Sequence, residues 1–215
     1  MASGADARET PVPSWLSWAR ELQALAQTGL TFTSGHYDIL RYRRLIELAA
    51  EITAAHAGGI PAELTADFLR QPGYATPKID VRGAVVRDGR ILLVQERVDA
   101  KWCMPGGWAD IDEVPSAMVA REVLEESGFV VGPRKVVGVF DANRDGVPRE
   151  FFHAYKIVFL CDIVGGEARG SDETLAAEFF PFDSLPPLSS QRTHERHLAE
   201  VREHLLNPGR PAAFD

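Results

Sequence analysis

Apolar positions recur at helical spacing through the first seventy residues and then give way to strand-like runs. After Ser14, the stripe Trp15, Trp18, Leu22, Leu25 and Ala26 predicts an amphipathic helix, with Gly29 as its stop. A second helix is predicted over 37–56. Its apolar set, Ile39, Leu40, Leu45, Ile46, Leu48, Ala49 and Ile52, is broad for a surface helix and implies burial on two sides. Gly58-Gly59 ends it, and Pro61 opens a third helix that finishes near Leu69. Gln71-Pro72-Gly73 and Thr76-Pro77 then carry the turn chemistry of a linker. Beyond it, 79–86 and 91–95 are β-rich runs joined at Asp88-Gly89, which predicts a hairpin. Further strands are expected over 135–140, 152–161 and 178–182, with helices over 115–127 and 192–206. The division that follows is an N-terminus of 1–12 that is flexible, a helical domain of 13–72, a mixed α+β domain of 76–206 and a tail of 207–215.

Composition narrows the class without naming an activity. The 215 residues are 45% hydrophobic and 25% charged, enough to bury a sizeable core. No apolar run approaches the ~18 residues of a membrane span. Residues 1–10 are polar and lead into no apolar core, so a secretory signal is not expected. The 2 cysteines, Cys103 and Cys161, stand far apart in no metal-binding spacing, which points to a reducing, cytoplasmic setting. With 23 Lys+Arg against 31 Asp+Glu, the formal charge is −8. That balance argues against duplex DNA as a partner, because such binding rests on phosphate neutralisation. A phosphate-bearing small molecule stays open, since a divalent cation can bridge two negative partners.

The chemistry concentrates between Gly106 and Phe129. On a helix, Glu122 is i,i+3 to Glu125 and i,i+4 to Glu126, so three carboxylates crowd one edge. Arg121, i,i+4 to Glu125, offsets only part of that repulsion. Clustered carboxylates are a hard oxygen-donor set suited to Mg²⁺ or Mn²⁺. Set below a glycine-rich turn, they would hold a cation while backbone groups face phosphate oxygens. For an isolated Glu pair, a solvated helix face is the commoner explanation.

The whole segment is more specific. It resembles the Nudix box, G-x5-E-x7-R-E-U-x-E-E-x-G-U with U apolar. Gly107, Glu113, Arg121, Glu122, Glu125, Glu126 and Gly128 occupy every fixed position, and Val123 and Phe129 are the apolar ones. At ordinary residue usage a chance match is on the order of 10⁻⁸ per window. The resemblance implies an α/β/α sandwich on a mixed sheet, preceded here by the small helical domain. It implies metal-dependent hydrolysis of a nucleoside diphosphate linked to a moiety X, with Mg²⁺ as cofactor and Mn²⁺ as a substitute. Carried over position by position, Glu122, Glu125, Glu126 and the Gly107 carbonyl are the expected metal ligands. Arg121 is expected to orient Glu113 or Glu125. Family members draw the general base from the box or from a later loop, and Glu173 is the candidate for that later acid; a solvated loop carboxylate is its plain alternative. Many members carry a Ser where Val114 stands, so the box helix lacks that cap and starts instead at Pro115, with Ser116 in support.

A second, weaker resemblance covers the flanks. Residues 24–32, 36–42 and 185–192 are similar to a Nudix subgroup acting on CDP-choline or ADP-ribose, whose members are typically homodimers. The substrate contacts lie outside the box, and Arg82, Trp108 and Phe152 are the candidates. The expected function is cleavage of NDP-X to a nucleoside monophosphate and phospho-X. Alternatives are hydrolysis of a nucleoside triphosphate or an RNA end and, more distantly, sensing of an ADP-ribose-like ligand. The intact box and mildly acidic N-terminal region speak against the sensor.

Overall fold

The computed structural model describes residues 12–144 and 151–215. Apart from Val12, the segment 1–12 lies outside them. The chain divides into two compact units: residues 1–77 with 148–153, and 78–147 with 154–215.

The first unit is helical: α1 (Ser14–Phe32), α2 (His36–Ala57) and α3 (Pro61–Leu69). Ile46, Ala49, Ala50 and Thr53 recur at three- and four-residue steps and form the buried face of α2. Ile46, Ala49 and Ala50 join Ala26 and Phe68 in this unit's core. Within one chain α2 is buried on this face, while Tyr37 and Leu40 are exposed. Gly29 does not stop α1, which runs one turn further. A Cβ at Gly29 would stand 2.4 Å from the Tyr42 ring, so the glycine serves close packing of α1 on α2.

The second unit is a mixed sheet between two helices. β1 (Lys78–Arg87) and β2 (Arg90–Glu96) form the predicted hairpin, turning through Asp88 (φ 52°) and Gly89 (φ 71°). β3 (Trp102–Cys103), β4 (Phe129–Asp141), β5 (Ala154–Gly166), β6 (Thr174–Pro181) and β7 (Ala213–Phe214) complete the strands. Their order is β3-β2-β1-β5-β4-β7, with β6 also on β2. β1 pairs β5 in parallel, and β4 pairs β5 antiparallel. Alternation along the strands sorts two cores. Val81, Val85, Leu92 and Val94 pack with Met118, Val119 and Val123 of α4 (Pro115–Ser127). Ala84, Ile91 and Leu93 pack with Leu198 and Val201 of α5 (Glu195–Leu206). The result is the expected α/β/α sandwich. Two short strands, β3 and β7, were not expected, and 207–215 is knit into the sheet. Ala213 and Phe214 pair with β4, and Asp215 takes an ion pair from Arg196 at 2.7 Å. Among the described residues no helix is long and apolar enough to cross a membrane.

Candidate active site

Helix α4 can sit close to the sheet because β1 has Gly83 beneath it. A Cβ there would lie 2.4 Å from the Val123 side chain. Val114 supplies no side-chain cap; Pro115 takes the first turn, where its missing N–H costs nothing. At the other end Gly128 adopts φ +80° and its N–H closes on the Leu124 carbonyl at 2.9 Å, a left-handed stop. Ahead of the helix, the backbone from Pro105 to Ala109 runs along β1 as an extra ladder. Gly83 donates to Pro105 at 2.8 Å, Val81 to Gly107 at 2.9 Å, and Ala109 to Ile79 at 2.8 Å. Gly106, at φ +142°, lies flat on the strand.

Two carboxylates from one edge of α4 meet this glycine turn. Glu126, only 6% exposed, accepts the Gly106 N–H on Oε2 at 2.8 Å. Glu122 stands against Gly107 so closely that a Cβ there would meet its Oε2 at 3.1 Å. Burial pushes the Glu126 carboxyl up to about 7, against the pull of Arg82. Glu122 is raised as well, by burial first, with Arg121 pulling it down and the Glu125 charge pushing it further up. Two desolvated like charges beside one turn are costly alone and favourable around a cation.

Arg121 gathers the remaining box acids. Its guanidinium grips Glu113 with two hydrogen bonds, at 2.8 and 2.7 Å, and bonds Glu125 at 2.8 Å. It also contacts Glu122 at 3.0 Å. The expected choice between Glu113 and Glu125 is therefore not a choice; Arg121 holds both. Its hydrogen bond keeps the Glu113 carboxyl below the usual range. Among the described residues, no three His, Cys, Asp or Glu side chains already converge as a metal cage. Glu125, an expected metal ligand, is exposed and paired with Arg121. The donor set still fits a hard divalent cation, because a buried Glu126 and a partly buried Glu122 bring carboxylate oxygens to one glycine turn.

The other candidates fall in different places. The Gly107 carbonyl spends one lone pair on Val81 and keeps the second. Trp108 is 43% exposed and bridges backbone to backbone with Asp80, so its ring lies open beside the turn. Glu173 is exposed on the loop before β6. Its neighbour Thr174 is buried and donates to the Glu126 carbonyl at 2.7 Å, which ties that loop to the end of α4. Arg82 and Phe152 depart from expectation. Arg82 is 4% exposed and directs its guanidinium at Asp80 and the Met104 carbonyl, so it is not poised for a substrate phosphate. Phe152 opens no strand; it belongs to the helical unit, edge-on to Phe68 with ring centroids 6.4 Å apart. Sequence reading missed the supports behind the turn. Thr193 accepts the Met104 N–H at 2.9 Å, and Glu96 takes contacts at 3.1 Å from both Cys103 and Arg192. The sequence carries no spacing signal for these contacts.

Comparison with known proteins agrees with this architecture. The family profile described as the NUDIX domain matches residues 77–201. A second profile, a UDP-X-like N-terminal oligomerisation domain, matches residues 13–68. The chain is 38% identical over 201 residues to YjhB of Bacillus subtilis (strain 168), which is provisionally named an ADP-ribose pyrophosphatase. That match covers 94% of this chain and 97% of the relative. A crystal structure described as a UDP-X diphosphatase is 30% identical with TM-score 0.61, covering 94% of this chain and 98% of that one. The crystal structure of an ADP-ribose pyrophosphatase from Streptococcus suis 89-1591 is 38% identical with TM-score 0.60. It covers 65% of this chain and 100% of that one.

Proposed function

The chain belongs to the Nudix hydrolase family, and from that premise we propose that it cleaves the pyrophosphate of a nucleoside diphosphate linked to X, with Mg²⁺ as cofactor. The observation that carries this reading is the pair Glu122 and Glu126, on one edge of α4, set against Gly107 and Gly106 of the turn. Glu122, Glu126 and the free lone pair of Gly107 would hold the cation, with Glu125 joining once it leaves Arg121. Mg²⁺ held there, or Mn²⁺ in its place, would supply charge neutralisation of pyrophosphate oxygens and a lowered pKa for the attacking water.

The chain's own residues do the rest. Arg121 anchors Glu113 and so fixes the loop entering α4. Water adds to one phosphorus while the bond to the bridging oxygen breaks, leaving a nucleoside monophosphate and phospho-X. Glu173, on a loop tied to α4 through Thr174, takes the water's proton or adds a ligand. Trp108 offers an open ring on which a base can stack. ADP-ribose and UDP-linked compounds are the substrates suggested by the names of these relatives, and CDP-choline is the third to test. A Mg²⁺-dependent hydrolysis panel over these, with a nucleoside triphosphate and a capped RNA end as controls, tests the assignment. Turnover of an NDP-X compound at least tenfold above both controls is expected; preference for either control replaces this reading.

We propose further that the protein is a homodimer joined through its helical unit. On α1, Trp18, Leu25 and Phe32 are 60%, 57% and 73% exposed and repeat every seven residues. Such a stripe is the seam on which helices pair. Leu25→Asp is expected to turn the dimer into a monomer by light scattering at micromolar concentration. A dimer that persists removes α1 from the interface.

A further inference from the structure

Behind the catalytic turn lies a buried group of charges that no step above uses. Asp80 and Arg82 stand two residues apart on β1, and Lys156 lies directly across from Asp80 on β5. Asp80 takes the fork of Arg82, Nε at 2.9 Å and Nη2 at 2.8 Å, and the Lys156 ammonium at 2.9 Å. All three side chains are buried. The remaining arm of the guanidinium leaves the group: Nη1 donates at 3.2 Å to the carbonyl of Met104, two residues before Gly106.

A buried ion pair is by itself weak evidence for anything but its own history. Two features take this one further. Two cations share one carboxylate, so the group carries a net positive charge that its surroundings must balance. Glu126, the buried carboxylate that holds the Gly106 N–H at 2.8 Å, stands at the turn this group reaches. The second feature is geometric. The Met104–Gly107 turn is held by the β1 ladder and, at Met104, by Thr193 and the Arg82 side chain. A lysine at position 82 would keep the charge, but a single ammonium cannot hold both Asp80 oxygens and reach the Met104 carbonyl.

We infer that Arg82 is a positioning residue: clamped by Asp80, it fixes the Met104–Gly107 turn against Glu126 so that the cation site is shaped before nucleotide arrives. This rests on the reading of Glu122 and Glu126 as the cation-holding pair. Its role is to set geometry, and it touches neither cation nor nucleotide.

The test uses Arg82→Lys and Asp80→Asn in the full chain. Mn²⁺ binding without nucleotide is followed by electron paramagnetic resonance, beside kcat, KM and thermal melting. Arg82→Lys is expected to weaken Mn²⁺ binding about five- to tenfold and to lower kcat at saturating Mn²⁺, with KM for ADP-ribose or the best panel substrate within about twofold. Asp80→Asn should give the same signature, and it carries the test alone if Arg82→Lys fails to fold. A raised KM with unchanged Mn²⁺ affinity makes Arg82 a substrate contact and overturns the inference. Lower melting with Mn²⁺ affinity and kcat intact leaves a purely structural ion pair and overturns it too. Wild-type protein that binds no Mn²⁺ defeats the cation-site reading itself, a result separate from either of these.

Discussion

Glu126→Gln is expected to lower kcat about a thousandfold at saturating Mg²⁺ while the protein stays folded. The glutamine keeps the volume of the side chain and an oxygen to accept the Gly106 N–H, so the turn retains its hydrogen bond. What is lost is the negative charge, and a neutral amide is a poor ligand for a hard cation. Stability should hold or rise slightly, because the amide escapes the desolvation cost that pushes the native carboxyl up to about 7. Melting within a few degrees of wild type, alongside the collapse in rate, separates chemistry from folding. Near-wild-type turnover would remove Glu126 from the cation site.

Gly106→Ala should do comparable damage by another route. At φ +142° an added Cβ would sit 2.0 Å from the Val81 carbonyl oxygen and 2.9 Å from the Arg82 Cα. Both are backbone atoms of a central strand, so neither can move aside. The turn must lift off β1, taking with it the Gly107 carbonyl and the N–H that Glu126 accepts. A loss of roughly 3 kcal/mol or more in urea unfolding is expected, with activity down at least a hundredfold. Gly73→Ala is the internal control. Gly73 also has positive φ, +103°, but open space around it, so only backbone strain of about 1–2 kcal/mol should appear. If the two variants unfold alike, the close approach of turn and strand is not what Gly106 is for.

The contrast between these glycines shows where sequence reading succeeds. The box could be read in full because its spacing is itself three-dimensional information: Glu122 and Glu126 share a helix edge wherever that helix is put. The hairpin at Asp88-Gly89 was legible for the same reason, since the turn demands positive φ and names the residues that supply it. Gly29 looked like a stop, and only the Tyr42 ring packed against it shows otherwise. Arg82 reads on the chain as a free cation near a phosphate site. Its burial depends on Lys156 and Asp80 meeting across the parallel β1–β5 pair, a contact between residues 76 positions apart. Phe152 was assigned by its neighbours to a strand that begins two residues later, at Ala154. Strands of two residues, β3 and β7, leave no periodicity to detect.

The central claim, that the Glu122–Glu126 turn directs water to a pyrophosphate phosphorus, is tested most directly by hydrolysis in ¹⁸O-water with products weighed by mass spectrometry. With Mg²⁺ and ADP-ribose, or the best substrate of the panel, one ¹⁸O should enter either the nucleoside monophosphate or phospho-X. No inorganic phosphate should form, and chelation of the metal should abolish the reaction. Label in inorganic phosphate, release of X without its phosphate, or turnover that survives chelation would contradict the account.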